Sequence, residues 1–403
     1  MKVVFLMFAF PDMNKSFNMY TTIVEEFVNH GHDVVIAAPG KDKTGIYLEN
    51  NIEILRVNTL PIKNVPNVLK GISNIFLPYQ FKKAINKYYP NKSFDLIVSP
   101  TPPITMVDLA ASLKNKYKSK FYLILRDIFP QNAVDLGFMK EGGILHRYFR
   151  KKEKKLYREA DFIGCMSEGN IDYVKNHNPE VKTEKLHELS NFQKKYEGYG
   201  NDYSSLRTKY QLEGKFVVVF GGNMGKPQQL ENVLELAVRC SEYPDVLFLL
   251  LGEGVQMQKL AQTIQEQNIS NIKIQGTIPK QEYQDLLSVC DVGLISLHKK
   301  FTIPNIPSKA LDYFNVGIPV LASIDEATDF GSILEETNSG LWSVAEDIDS
   351  FKINFDTLYK NLELRKKMGE NGRTYFESNL LPSMAYGKII KSLKNETSIN
   401  KSF

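Results

Sequence analysis

Cysteine, tryptophan and histidine are scarce in this chain, with three, one and six among 403 residues. Cys165, Cys240 and Cys290 are odd in number and scattered, without the paired spacing of a zinc site or a disulfide framework. A reducing cytoplasm with core thiols fits them best. No convincing cluster of metal-ligating residues appears, so no metal is expected. No stretch approaches the roughly 20 apolar residues that cross a bilayer, so a spanning helix is excluded. The opening MKVVFLMFAFPDMNKS has an apolar run broken by Pro11 and Asp12, with no small-residue cleavage pattern after it. It reads as a first strand, not as a signal peptide. Low-complexity tracts and short repeats are also missing.

What is present is ordinary globular material, 43% apolar and 24% charged. A chain of 403 residues exceeds what one core usually serves, and two domains are expected. The net charge of +4 is uneven: basic residues are in excess over residues 1–200 and acidic ones thereafter. A basic first half suits an anionic bilayer, a phosphorylated lipid or nucleic acid. No recognised motif accompanies the charge, so nucleic acid is set aside.

Strand-like and helix-like segments alternate. Val3–Phe8 is a short apolar run, Tyr20–Asn29 has helical spacing at Ile23, Val24, Phe27 and Val28, Gly31 ends that helix, and Asp33–Ala38 is the next strand. That is a βαβ unit, hence parallel strands and a right-handed crossover. Asp95–Ser99, Phe121–Leu125 and Phe162–Met166 are further buried-strand candidates. Residues 194–214 read as a linker. Lys215–Phe220, Val246–Leu251, Ile272–Gln275, Val292–Ser296 and Val320–Ala322 then read as strands, separated by helices near Gln229–Cys240, Val255–Gln267 and Gln281–Val289. The expected fold is α/β, with two Rossmann-like doubly wound domains facing across a cleft: 1–193 for the acceptor, 215–375 for a nucleotide-linked donor, and 376–403 a helical tail returning to the first domain, frayed over Asn395–Phe403.

The strand Val217–Phe220 runs into Gly221-Gly222-Asn223-Met224-Gly225-Lys226, with a helix beginning near Gln229. Strand, glycine turn and helix start bring free N–H groups to one point, an arrangement that favours a diphosphate, and Lys226 adds a charge. In Pro304-Asn305-Ile306-Pro307-Ser308-Lys309-Ala310-Leu311-Asp312, two prolines stiffen a loop that leads to Ser308 as an N-cap. Lys309 and Asp312 are then neighbours on one helix. Lys309 would neutralise a β-phosphate and Asp312 would accept from ribose hydroxyls; an ordinary capped helix explains the same residues. His298 follows the strand Val292–Ser296 at the edge where ligands bind, a place for a donor contact. His32, in a Gly-His-Asp-Val strand entry, reads as packing. Arg147–Arg158 (RYFRKKEKKLYR) has a loose apolar stripe of Tyr148, Phe149, Leu156 and Tyr157 with Lys and Arg opposite, suited to lying on an anionic bilayer or to packing as a basic helix. Val65–Tyr89, with Leu69, Ile72, Ile75, Phe76 and Leu77, would add to that surface.

The line SKALDYFNVGIPV resembles the donor-binding signature of retaining family 4 glycosyltransferases of GT-B fold. Gly222-Asn223-Met224-Gly225, Leu251-Gly252-Glu253-Gly254, Gly276-Thr277-Ile278-Pro279 and Ala322 occur in family order over residues 216–340. In the first half Arg126-Asp127-Ile128-Phe129-Pro130 and Asp135-Leu136-Gly137, with Asp161-Phe162 and Ser167-Glu168, resemble a branch of bacterial O-antigen and capsule enzymes similar to N-acetyl-L-fucosaminyltransferases. The resemblance implies donor contacts from Gly222, Asn223, Lys226, Gly252, Gly254, Thr277, Ile278, His298, Pro307, Ser308, Lys309 and Asp312. It also implies a UDP-sugar donor without a metal, and transfer of an N-acetylated amino or deoxy-amino hexose with retention. The acceptor would be a saccharide on a polyprenyl diphosphate, met by an enzyme peripheral on the inner face of the cytoplasmic membrane. Three departures stand out. The family's first paired Glu falls on Pro304, its first-domain His on Arg126, and its early Gly-Gly loop is missing from Pro11–Phe17.

Breaking a sugar–phosphate bond puts negative charge on the departing diphosphate, so Lys226 and Lys309 are the expected electrostatic catalysts. The leaving phosphate or Asp127 would take the acceptor's proton. Arg126 would orient acceptor or phosphate, or merely pair with Asp127. A nucleotide-sugar epimerase or hydrolase, or a silent nucleotide-sugar-binding subunit, are the alternatives, since fold alone does not fix function.

Overall fold

Short apolar runs bounded by polar residues favour strands covered on both faces, and the chain uses them throughout. The computed structural model describes residues 1–8, 10–40, 42–61 and 67–399. They form two compact units, Met1–Lys194 with Pro382–Phe403, and Lys195–Leu381. In the first unit β1 (Lys2–Leu6), α1 (Met19–Asn29), β2 (Asp33–Gly40), β3 (Gly45–Glu49), β4 (Ile52–Asn58), α2 (Asn67–Tyr88), β5 (Leu96–Pro100), α3 (Val107–Tyr117), β6 (Lys120–Ile124), α4 (Gln131–Asp135), α5 (Ile144–Glu159), β7 (Phe162–Cys165), α6 (Glu168–His177) and β8 (Leu186–Glu188) follow in order. The strands lie as β3-β4-β2-β1-β5-β6-β7-β8, with β3 antiparallel to β4. The winding direction reverses between β1 and β5.

The second unit contains α7 (Ser204–Lys209), β9 (Phe216–Gly221), α8 (Glu231–Arg239), β10 (Val246–Leu251), α9 (Met257–Glu266), β11 (Ile272–Gln275), α10 (Lys280–Leu287), β12 (Val292–Ser296), α11 (Lys309–Val316), β13 (Val320–Ile324), α12 (Phe330–Thr337), β14 (Gly340–Val344), α13 (Ile348–Lys360) and α14 (Leu362–Asn379). Its six strands are parallel, in the order β11-β10-β9-β12-β13-β14, and the reversal falls between β9 and β12. Both sheets are doubly wound, as the alternation of elements predicts. Helices cover both faces, which is why β9 and β12 are buried along their whole length.

Local chemistry sets the ends. Asn18 accepts from the N–H groups of Tyr20 and Thr21 and closes a capping box on α1. At the end of α11, Gly317 takes φ 76°, where a side chain would be strained.

Three expectations change, and one of two open readings is decided. The stretch 194–214 is not a free linker: Tyr196 and Leu212 are buried, the Tyr196 N–H donates to Asn315 (2.8 Å), and its hydroxyl donates to Asp285 (2.7 Å). The tail is two helices, α14 and α15 (Pro382–Ile399), and the chain rejoins the first unit at Pro382. There Tyr386 stacks on His30 at 4.1 Å and bonds His32 Nε2 at 2.8 Å, so His32 does pack. The helix takes in residues to Ile399; residues 400–403 lie outside the described ones. Finally, the apolar stripe of α5 faces inward. Leu156 and Tyr157 are in the core, and Phe149 meets Phe129 edge-on at 4.9 Å. Periodicity reveals that a helix has an apolar face, not what the face touches.

Candidate functional site

In a parallel sheet the carboxyl ends of strands beside the reversal of winding leave a crevice between diverging loops. In the second unit that place is the end of β9 and β12. The two strands pair only through Val292 with Val218 and Gly293 with Val219. Beyond them the hydroxyl of Tyr313, from α11, fills the gap. It accepts from the Gly221 N–H (3.1 Å) and lies within donating distance of the Val219 and Leu294 carbonyls (3.1 and 3.0 Å). Gly293 is required here, because a Cβ would meet the Tyr313 ring at 2.3 Å. Tyr313 thereby ties α11 to the first strand of the site. It escaped the sequence reading because its neighbour Asp312 carried the motif.

Around this point the candidates gather. Gly222 takes φ +127°, and a Cβ on it would lie 3.8 Å from Lys309 Cε. The Lys309 ammonium donates to the Gln228 side-chain carbonyl and sits 4.7 Å from the Phe220 ring centroid. Removal from water pushes Lys309 down to about 8, partly offset by the nearby Asp312 carboxylate. Asp312 also bears on half-buried Tyr283, whose phenol is held well above its usual range by loss of water around it first. Gln228 and Tyr283 had no motif to betray them.

Ser308 stands at the N-cap of α11 but has helical φ and ψ and makes no capping bond. It is exposed, and Pro307 beside it is buried. The expected helix start near Gln229 is instead a short 3-10 turn over Lys226–Gln228, with α8 opening at Glu231. Lys226 lies in that turn. The turn is held by the His298 N–H, which donates to the Pro227 carbonyl (2.9 Å). Desolvation lowers the His298 pKa first, and Lys226 and Lys300 lower it further. Glu346 and Glu231 act in the opposite direction, so the imidazole lies among charges of both signs.

The second glycine loop has a packing cause of its own. A Cβ on Gly252 would come within 2.0 Å of the Gly222 carbonyl oxygen, and one on Gly254 within 2.5 Å of Met224. The Met224 N–H donates to the Glu253 carbonyl (2.8 Å), and Gly252 N–H to that of Gln275 (3.0 Å). Gly252 and Gly254 thus seat one loop against the other, with Asn223 beside Gly254. Thr277 is exposed and Ile278 half-buried, just past the end of β11. Pro304, at the family's first Glu position, is buried.

Arg126 and Asp127 belong to the first unit, after β6. The Arg126 N–H donates to Thr101 Oγ1 (2.9 Å). Its guanidinium donates to the Leu189 and Ser190 carbonyls (2.7 and 3.4 Å) and faces the Phe192 ring at 5.9 Å. No ion pair with Asp127 forms among the described residues. Arg126 Nε is buried without a partner among them, a donor still to be satisfied. Burial raises the Asp127 pKa, with Arg126 opposing. Among the described residues no group of three or more His, Cys, Asp and Glu is placed to hold a metal ion.

The lowered Lys309 pKa gives a pH dependence. A diphosphate prefers the ammonium form, so binding to the free protein should weaken as pH rises through about 8. Between pH 7 and pH 9 the dissociation constant for UDP should rise about tenfold. Titration calorimetry at the two pH values checks this; Lys309→Ala should remove the difference.

The model of the family described as Glycosyl transferases group 1 matches residues 202–375. The probable glycosyltransferase WbjE of Pseudomonas aeruginosa is 24% identical over 275 residues, 67% of each chain. WcaI of Escherichia coli K12, a putative colanic acid biosynthesis glycosyl transferase, is 28% identical over 138 residues, 33% of each chain. The chitobiosyldiphosphodolichol beta-mannosyltransferase of Candida albicans is 22% identical over 298 residues, 68% of this chain and 64% of that one. Among solved structures, sucrose-phosphate synthase of Thermosynechococcus elongatus aligns with TM-score 0.77 at 15% identity over 99% of this chain and 100% of that one. HepE of Anabaena in complex with UDP-glucose aligns with TM-score 0.72 at 14% identity, over 98% and 99%. The likeness to these structures gives the fold, GT-B. A glycosyl transferases group 1 domain lies at residues 202–375, and the chain is a glycosyltransferase.

Proposed function

We propose that the chain transfers a sugar from a UDP-sugar, with retention and without a metal, to a lipid-linked saccharide in the assembly of a bacterial surface polysaccharide. The observation that carries this is the half-buried Lys309 beside Gly222. An ammonium beside a positive-φ glycine at the strand-reversal point suits the charge of a diphosphate. Support for uridine comes from HepE, whose structure holds UDP-glucose. Support for a lipid-linked acceptor comes from the dolichol-linked substrate in the Candida relative's name. The N-acetylated amino or deoxy-amino hexose rests on the Arg126–Pro130 resemblance.

In this reading Lys309 and Lys226 oppose the charge that gathers on the leaving diphosphate as the anomeric bond breaks. Asp312 takes the ribose hydroxyls, Thr277 and Ile278 border the base, and His298 reaches the sugar side. Asp127, or the leaving phosphate, receives the acceptor proton, and Arg126 Nε–H orients the acceptor. The test is a thermal-shift panel of UDP-, GDP- and dTDP-sugars with and without EDTA. UDP compounds should raise the melting temperature, by mass action on the folded state, and EDTA should not matter. A response confined to GDP compounds would refute the uridine assignment.

A further inference from the structure

Large apolar side chains face water on two helices of the first unit, α2 and α5, which pack on either side of α3. On α2, Ile72, Ile75, Phe76 and Tyr79 are exposed. Their i, i+3, i+4, i+7 spacing makes them one stripe, opposite the buried stripe of Leu77, Phe81 and Ile85. At the start of α5, Ile144 and Leu145 are 82% and 64% exposed, and Phe138 of the preceding loop is 68% exposed. The same core holds Leu77 and Phe81 of α2, Leu109 and Leu113 of α3, and Leu156 and Tyr157 of α5. Ile23, Val24 and Phe27 of α1 belong to the other core of the unit. The three helices α2, α3 and α5 therefore form one layer, and the solvent faces of α2 and α5 look the same way. The turn Ile104–Met106 touches both of them.

Charge completes the surface. Along the outward side of α5, Arg147, Lys151, Lys154 and Arg158 are all exposed. Lys154 and Arg158 have acidic partners in Glu180 and Glu159; Arg147 and Lys151 have no ion pair among the described residues. On α2, Lys82, Lys83 and Lys87 continue outward past the apolar stripe. A stripe of four large apolar side chains on α2, with three more at and just before the start of α5, is more apolar surface than single scattered residues account for. Apolar side chains bordered by unpaired lysine and arginine match a layer whose outer edge is anionic and whose interior is hydrocarbon.

We propose that this α2–α5 face is a docking surface for an anionic phospholipid bilayer, with Ile144, Leu145 and the α2 stripe entering the acyl boundary and Arg147 and Lys151 meeting headgroup phosphates. The inward stripe of α5 plays no part in it. Docking does not depend on the reading of the sugar donor.

Co-sedimentation of the full chain with phosphatidylglycerol-containing vesicles, against pure phosphatidylcholine vesicles, tests it. The wild type should pellet with the anionic vesicles and bind the neutral ones far more weakly. Reversal of two charges, Arg147→Glu with Lys151→Glu, should weaken binding by more than about thirtyfold, and Ile144→Glu with Leu145→Glu should abolish pelleting. All four positions are exposed, so melting temperatures and the thermal shift with UDP should stay at wild-type values, which separates lost docking from lost folding or lost donor binding. Three results would overturn the proposal: wild type that stays in the supernatant, variants that pellet like wild type, or a concentration-dependent dimer that the Ile144→Glu, Leu145→Glu pair disrupts while vesicle binding is unchanged. The last would assign the face to a second copy of the chain.

Discussion

Lys309→Ala should lower kcat/KM by about a hundredfold or more, the usual loss when one preorganised charge is taken from a developing anion. The variant should fold at least as well as wild type. The sign follows from the direction of the Lys309 shift. Burial lowers its pKa to about 8, so the folded state holds this proton less tightly than the unfolded chain. Charge at this position opposes folding below about pH 8, and the opposition fades as pH climbs toward the ordinary lysine value. Such a penalty is retained where the charge has work to do. A melting temperature that is unchanged or raised, with activity lost, separates a binding role from a structural one. Lost activity accompanied by a collapsed melting temperature would assign Lys309 to packing against Phe220.

Gly252→Ala carries the largest expected effect on stability. Its φ of +134° excludes most side chains, and the new methyl would lie 2.0 Å from the Gly222 oxygen. Backbone on both sides leaves little room for relief, so a loss of about 3 kcal/mol is expected. For a unit of this size that lowers the melting temperature by roughly 10 °C. Because the displaced partner is Gly222, UDP binding should fall with it. Gly276→Ala is the control. A Cβ there meets nothing within 4 Å, and both stability and binding should stay near wild type. Equal behaviour of the two variants would remove the loop-seating argument.

The parts of this fold that could be read from sequence were those with one physical cause. β9 and β10 are covered on both faces, so each is an apolar run, and the glycine turn that follows β9 marks its end. β3 is different: as an antiparallel edge strand with Ile46, Tyr47 and Leu48 exposed, it carries no burial pattern. Residues 194–214 looked like a linker because Tyr, Gly and Lys show no period. Tyr196 is nonetheless fixed by side chains more than eighty residues away, which a local reading cannot find. The same limit hid Gln228 and Tyr313, whose importance lies in what they touch. Local spacing put Lys309 and Asp312 in the first turn of α11, where they stand, but expected of Ser308 a capping bond that it does not make. The α5 stripe was visible and its direction was not, because a core and a bilayer ask for the same side chains.

Gly252 and Gly254 show how a motif can have a cause other than its first reading. Both were expected beside the donor, and close contact of two loops is sufficient to require them. Under the proposed function their part in donor binding is indirect, through the position of Gly222 and Asn223.

A crystal structure of the chain soaked with UDP tests the central assignment most directly. The diphosphate should lie against Gly222, with a β-phosphate oxygen about 3 Å from the Lys309 ammonium and the Gln228 contact exchanged for it. Density for the nucleotide elsewhere, with Lys309 still bonded to Gln228, would contradict the account.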